Sequence, residues 1–313
     1  MATDSVRGAV PVKVRQPTWW TRKSVRRVMA NTILYMIVAA GAVFILIPFL
    51  WMIVTAIKPE GSAFQMPIKW IPFPFAPPES LKGLPFFKAT LSNIPQSFTV
   101  LPFAYFYRNT LIITALTVLG TLISTSLVGY GFARMNFPGR DILFIIVLST
   151  MMIPVYVTMI PIFITFRDLR WLDSFKPLIV PSFFAVDAIY IFLFRQFIMT
   201  IPLEYDDSAK IDGASSLGIF LRIILPLSKP VLGAVAIFSF IAHWNEFLYP
   251  LIYLSTREKF TIALGLRTFQ GAYQIHWEQM MAASTLALIP IVTIFFICQR
   301  YFVQGIVVTG IKG

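Results

Sequence analysis

Long, nearly unbroken apolar runs separated by short polar intervals dominate this chain. Six runs reach the length of about 20 residues that a helix needs to cross a bilayer core at 1.5 Å per residue. They lie at 31–57, 105–133, 142–166, 178–199, 229–254 and 281–303. Strands open to lipid would leave backbone groups unpaired, so the pattern predicts helices. The expectation is an all-α membrane protein with six transmembrane helices. A segment at 1–30 precedes the spans, 31–303 forms the membrane domain and a tail at 304–313 follows.

The polar intervals differ in kind. Residues 58–104 carry Pro59, Pro67, Pro72, Pro74, Pro77, Pro78, Pro85 and Pro95 among aromatics, which blocks a continuous helix. Trp70, Phe73 and Phe75 suit the headgroup zone. This segment is either a docking surface for an outside partner or a loop packed on the helix ends. Pro138-Gly139 punctuates the turn at 134–141. Pro48, Pro154, Pro161 and Pro290 mark expected kinks inside the spans.

The interval at 200–228 is the most polar, with acids between two apolar runs. Pro202 suits a helix start, and Glu204, Asp206 and Asp207 sit where the helix dipole favours negative charge. Gly213, without a Cβ, permits a sharp bend or a close approach. Leu217, Phe220, Leu221 and Ile224 recur at helical spacing, and Pro226 is expected to end the second helix. The reading is a helix–bend–helix along one membrane face.

Composition agrees with a membrane location. Hydrophobic residues make up 57% of the 313 and charged residues 13%, with a mean hydropathy of +0.76. The net charge of +12 raises nucleic-acid binding. However, the basic cluster Arg22, Lys23, Arg26 and Arg27 directly precedes an apolar run, as cytoplasmic anchoring charge does. No nucleic-acid partner is therefore expected, and the N-terminus is placed in the cytoplasm. Six spans return the C-terminus to the same side. The first apolar run is too long for a signal peptide and is read as a retained span. Cys298 is the lone cysteine and has no intrachain partner for a disulfide.

Chemistry within the chain itself is not expected. A phosphate-binding loop needs a Lys after its second glycine, whereas Gly213 and Gly218 are followed by Ile219 and Phe220. The acids at 206, 207 and 212 face no second acidic cluster that would hold Mg²⁺ for a transferase. Neither catalytic nor metal-binding residues are assigned. Within the spans, Asp187 either lines a solute cavity with Tyr190 or pairs with a neighbouring helix. Trp244, Asn245 and Glu246, beside His243, form the densest polar cluster of any span. They suit sugar recognition, helix–helix bonding or a gate.

The polar segment resembles the EAA loop of ATP-binding-cassette importer permeases. Asp207-Ser208-Ala209, three residues, Gly213, nine residues and Ile223-Ile224-Leu225-Pro226 match its spacing without insertion. Asp207 and Ser208 depart from its usual Glu and Ala. The resemblance is to the carbohydrate, MalG-like branch. It is carried also by Gly129-Tyr130-Gly131-Phe132-Ala133-Arg134, Phe137-Pro138-Gly139-Arg140, Met152-Ile153-Pro154, Arg195-Gln196-Phe197, Trp244-Asn245-Glu246-Phe247 and the run from Gln299 to Gly305.

This resemblance implies a non-catalytic permease subunit in a bacterial or archaeal inner membrane, passing a sugar or polyol. It implies three partners besides lipid: a second permease, an ATPase dimer and an extracytoplasmic solute-binding protein. ATP and Mg²⁺ would sit on the ATPase, with no cofactor on this chain. Residues 203–226 would be the coupling element. Glu204, Asp206, Asp207, Lys210 and Asp212 would meet the ATPase rim, and Ala209, Ile211 and Leu217 would pack in its cleft. Gly213 would set the bend between Ser208 and Ala214. The alternative, an ion-coupled carrier, calls for several intramembrane carboxylates and an internal repeat. Only Asp187 and Glu246 answer the first requirement, and no repeat is visible.

Overall fold

The structure, a computed structural model, describes residues 23–58, 61–64, 66, 93–94, 102–269 and 276–310, with side chains from 25 to 299. Most of the proline-rich interval, with Trp70, Phe73 and Phe75, lies outside the described residues, as do residues 1–22 and 311–313. Every described element is helical. Two units are distinguished, 1–51 and 52–313. The first holds most of α1 (Lys23–Ala56), a helix with Pro48 inside it and exposed apolar side chains along its length.

In the second unit, α2 (Phe103–Arg134) is a single 32-residue helix. It ends where Met135 turns extended and Gly139 adopts a left-handed φ of 77° before α3 (Arg140–Ser149). After a short 3-10 turn, α4 (Val155–Asp168) departs at 98° from the preceding helix. The expected span at 142–166 is thus broken and not merely kinked. Pro154 supplies no N–H and pushes Ile153 to an extended ψ of 118°.

The expected span at 178–199 is also interrupted. α5 (Lys176–Ile179) passes into a 3-10 segment, Val180–Phe184, then Ala185 in a left-handed φ of 52°, before α6 (Ala188–Met199). α7 (Glu204–Ile211) and α8 (Ser216–Ile219) form the helix–bend–helix. The second arm ends at Leu227, one residue past Pro226. A π-helical stretch, Phe220–Ile224, carries the chain into α9 (Leu225–Leu227), with Leu225 N–H donating to the Phe220 carbonyl. That wider turn stands just before the proline, whose ring would collide with the carbonyl four residues back in a regular helix.

α10 (Lys229–Trp244) follows at a 77° bend. It stops at Trp244, ten residues before the expected end of its span, and α11 (Leu248–Tyr253) is separate. α12 (Ile262–Thr268) and α13 (Trp277–Gly310) complete the order. By length and composition four helices can cross a membrane, or six if each bent pair counts as one span.

Two apolar clusters hold this unit together. One gathers Tyr130, Phe194, Ile198, Ile201, Ala209, Phe220, Ile224 and Val235 around the helix–bend–helix. The other gathers Phe103, Phe106, Phe240, Trp244, Ile262, Phe269 and Ala283. α2 reaches from one to the other. Phe106 and Tyr130 stand 24 residues apart on it, roughly 36 Å along a helix. It approaches α6 closely at Gly129, where an added Cβ would lie 2.6 Å from Phe194 Cβ.

Candidate functional site

Two sites emerge, one a cavity among the spans and the other the helix–bend–helix. The cavity has a volume of about 580 Å³ and is walled by α2, α4, the broken α5–α6 stretch, α10 and α11. Thr110, Ile113 and Thr117 face it from α2, and Thr165 and Phe166 from α4. Asp187, His243 and Glu246 bring two carboxyls and an imidazole to it, while no Lys or Arg lines it among the described residues.

Local breaks place these groups. Asp187 occupies the N-cap position of α6, where the unwound 180–187 stretch turns back into helix. Irregular backbone at membrane depth is tolerated where it lines a cavity. Glu246 sits between α10 and α11, and its Oε1 accepts from Leu248 N at 2.9 Å and Tyr249 N at 3.3 Å. Tyr253 stacks on Tyr249 at 6.0 Å and meets Phe166 edge-on at 5.3 Å, which builds an aromatic wall.

Of the five residues expected along a solute path, the cavity unites Asp187 and Glu246. Trp244 is 2% exposed, and its Nε1 donates to the Ala287 carbonyl at 3.0 Å while its ring stacks on Phe240. It therefore joins α10 to α13, because the helix phase turns it away from the cavity. Asn245 is exposed and donates to the Ile241 carbonyl, and Tyr190 packs at the edge of the first apolar cluster. His243 was noticed only as part of a polar cluster, yet it lines the cavity. The α2 wall was not assigned from the sequence, although the stripe that holds its Thr110 and Thr117 left a signal there. Thr110, Thr114, Thr117, Thr121 and Ser124 recur at spacings of three and four in an apolar run, and all are buried.

In the helix–bend–helix, α7 carries Glu204, Asp206 and Asp207 in its first turn. Ala214 N–H donates to the Ala209 carbonyl and Gly213 N–H to the Lys210 carbonyl. This is a Schellman termination, with Gly213 at a left-handed φ of 81°. Ser215 then caps α8, its Oγ accepting from Gly218 N at 3.2 Å.

Glu204, Asp207, Ser208, Lys210 and Asp212 point outward, and Asp207 pairs with Lys210 at 3.1 Å. Ile211 is 86% exposed and Leu217 58%. Asp206 and Ala209 depart from the expectation. Their positions three apart on α7 turn both into the chain's own interior, where Ala209 joins the first apolar cluster. Asp206 meets Arg134 at 3.3 Å with both side chains almost fully buried. Ala214 packs against the same cluster.

A latch ties the loop after α4 to the loop after α11. Asp173 Oδ1 accepts from Ser255 N and Thr256 N, and Oδ2 accepts from Thr256 Oγ1 at 2.6 Å and Lys259 Nζ at 2.7 Å. Burial alone would raise this carboxyl's pKa, but the Lys259, Thr256 and Ser255 donors outweigh it and hold the group well below its ordinary value.

Comparison with known proteins agrees with this architecture. The family described as "Binding-protein-dependent transport system inner membrane component" matches residues 125–308. The arabinooligosaccharides transport system permease protein AraQ of Bacillus subtilis is 39% identical over 211 residues, covering 67% of this chain and 74% of the relative. The sn-glycerol-3-phosphate transport system permease protein UgpE of Yersinia enterocolitica is 32% identical, with 85% of this chain and 92% of the relative covered. The trehalose/maltose transport system permease protein MalG of Thermococcus litoralis is 30% identical, with coverages of 87% and 93%.

Among solved structures, a chain of a bacterial ABC transporter involved in import of the acidic polysaccharide alginate shares the fold. Its TM-score is 0.73 at 22% identity, covering 92% of this chain and 100% of that one. The chain belongs to the binding-protein-dependent transport system inner membrane component family. It is a permease subunit of an ATP-binding-cassette importer.

Proposed function

We propose that this permease passes a neutral or cationic carbohydrate through the cavity at Asp187, His243 and Glu246. The observation that carries the reading is the lining itself, two carboxylates beside an aromatic wall with no Lys or Arg among the described residues. An ionised carboxylate about 6 Å from an anionic solute group disfavours it by about 3 kcal/mol at an effective dielectric constant near 20. Polar hydroxyls and aromatic faces suit a sugar instead. The reading favours an oligosaccharide such as the B. subtilis relative's name gives, over a sugar phosphate or an acidic polymer.

In this reading the chain spans the membrane six times with both termini cytoplasmic, counting each bent pair as one span. A second permease completes the pathway, and a separate ATPase dimer supplies ATP hydrolysis with its own Mg²⁺. An extracytoplasmic protein delivers the solute. The ATPase grips Glu204, Asp207, Lys210, Ile211, Asp212 and Leu217, which are exposed together on one short element. Nucleotide-driven closure then favours one orientation of the cavity because the ATPase binds the two orientations unequally.

The test is uptake by proteoliposomes holding the complete importer with its binding protein. Labelled arabinooligosaccharide should enter with ATP, sn-glycerol-3-phosphate should not, and Glu246→Gln with Asp187→Asn should narrow the difference. Equal uptake of the two solutes by the unaltered protein would refute the charge argument.

A further inference from the structure

The buried pair formed by Arg134 and Asp206 ties the helix–bend–helix to the helix that walls the cavity. Arg134 is the last residue of α2, the helix that presents Thr110, Ile113 and Thr117 to the cavity. Its Nε lies 3.3 Å from Asp206 Oδ2, and its Nη2 donates to the Ile201 carbonyl at 2.6 Å. One turn earlier on the same helix, Tyr130 Oη donates to the Ser216 carbonyl at 3.1 Å. The Tyr130 ring also meets Phe220 at 5.1 Å. The end of α2 therefore holds both arms of the helix–bend–helix, the first through Arg134 and the second through Tyr130.

The other end of α2 is fixed as well. Asn109 Nδ2 donates to the carbonyls of Glu258, at 2.7 Å, and Phe260, at 3.1 Å. Thr110 Oγ1 accepts from Ile262 N at 2.8 Å. α2 has no proline within it and is one continuous helix. A buried charge pair adds little net stability compared with an apolar pair of equal volume, while loss of either partner strands the other charge. Orientation is what such a pair supplies here, because Arg134 is held also by the Ile201 carbonyl and Asp206 lies within α7.

We propose that Arg134–Asp206 and Tyr130–Ser216 form a two-point joint that transfers displacement of residues 204–219 onto α2, and through it to the cavity wall. Arg134, Asp206 and Tyr130 are then positioning residues for transport, touching neither solute nor nucleotide. The joint rests on the reading of residues 204–217 as the ATPase-coupling element.

The experiment uses the complete importer in nanodiscs, with Cys298→Ser and a single reporter cysteine, Ile113→Cys, in the cavity wall. Labelling by a water-soluble maleimide is timed with and without ATP plus orthovanadate. Without further substitution, nucleotide should change the labelling rate by about ten-fold, an ordinary size for coupling between linked sites. Asp206→Asn and Arg134→Gln should retain the ATPase and its hydrolysis while losing that change, and the swap Arg134→Asp with Asp206→Arg should recover part of it. A merely structural pair would alter yield or ATPase retention and leave the nucleotide response of assembled complexes intact. That outcome overturns the joint.

If the charge variants fail to assemble, Tyr130→Phe decides. It removes one hydroxyl, and an undiminished response overturns the proposal while a diminished one supports it. Cross-linking from Asp207→Cys to the ATPase tests the underlying reading separately. Its failure in an intact, hydrolysing complex overturns that reading, and the joint with it.

Discussion

Gly129 and Gly131 lie two residues apart on α2 and should respond oppositely to the same substitution. A Cβ at Gly129 would stand 2.6 Å from Phe194 Cβ, 3.2 Å from Arg195 N and 3.3 Å from the Ile191 carbonyl oxygen. None of these atoms is the far end of a flexible side chain, so relief requires α2 and α6 to part. Carbon contacts are comfortable near 3.5–4.0 Å, which sets the separation at about 1 Å. Overpacking of this kind typically costs about 1–3 kcal/mol. Nothing lies within 4 Å of the corresponding position at Gly131.

Both alanines gain the same helix propensity over glycine, about 1 kcal/mol, so that term cancels between them. The difference between Gly129→Ala and Gly131→Ala therefore isolates the packing cost. Thermal denaturation in detergent, followed by loss of the monodisperse chromatographic peak, reads it. Gly131→Ala should match or exceed the unaltered protein, and Gly129→Ala should melt clearly lower than Gly131→Ala. Equal melting of the two variants would refute the close α2–α6 approach.

Other perturbations follow the same logic. Asp173 has a depressed folded pKa, so its contribution is fully present above its unfolded value near 3.8 and is lost as pH falls below it. Asp173→Asn should thus lower melting at pH 7 more than at pH 3, and an equal effect at both would contradict the latch. Trp244→Ala removes a buried ring and its bond to Ala287, at a cost of about 3–5 kcal/mol, and intrinsic fluorescence during urea titration should show the loss. Gly213→Ala must hold a left-handed φ at a cost of about 1–2 kcal/mol, without any clash. Cross-linking of residues 204–217 to the proposed ATPase partner should weaken accordingly, and undiminished cross-linking would argue against a strained bend.

The helical class was legible in the apolar runs because bilayer thickness alone sets their length. Continuity of the spans was not. Pro154 reads as a kink when the only signal is a missing N–H, but its restriction of Ile153 turned the chain through 98°. The break at 180–187 had a weaker cue, Pro181, and its left-handed Ala185 had none, since alanine carries no preference for that conformation. At Pro226 the expected end held to within a residue, since the π turn before it carries the helix only to Leu227 ahead of the 77° bend. In the polar segment, the bend at Gly213 was readable from one missing Cβ. The direction of each acid was not, because α7 is short and its few apolar residues are scattered. Asp206 faces inward with Ala209, which joins the first apolar cluster, and meets Arg134 there, while Asp207 faces out. Asp187 and Glu246 were identifiable as charges in apolar runs. The positions of Trp244 and His243 depended on helix phase at the end of α10, one residue either way.

The tight contact at Gly129 has a mechanical consequence. If α2 pivots on α6 at Gly129 as a lever on its fulcrum, the segments bonded to its far half, at Leu178, Ser182, Glu258 and Phe260, move with it. Arg134 lies five residues to one side of Gly129 and Thr117 twelve residues to the other, arms of roughly 7.5 Å and 18 Å. A tilt that moves the short arm by 1 Å would sweep the cavity wall through about 2.4 Å in the opposite sense. We therefore predict that spin labels near Thr117 shift farther than labels near Arg134 when nucleotide is trapped. Equal shifts would mean that α2 translates as a whole. A small push at residues 204–219 would then be geared up at the cavity wall, and a residue without a side chain would set the ratio.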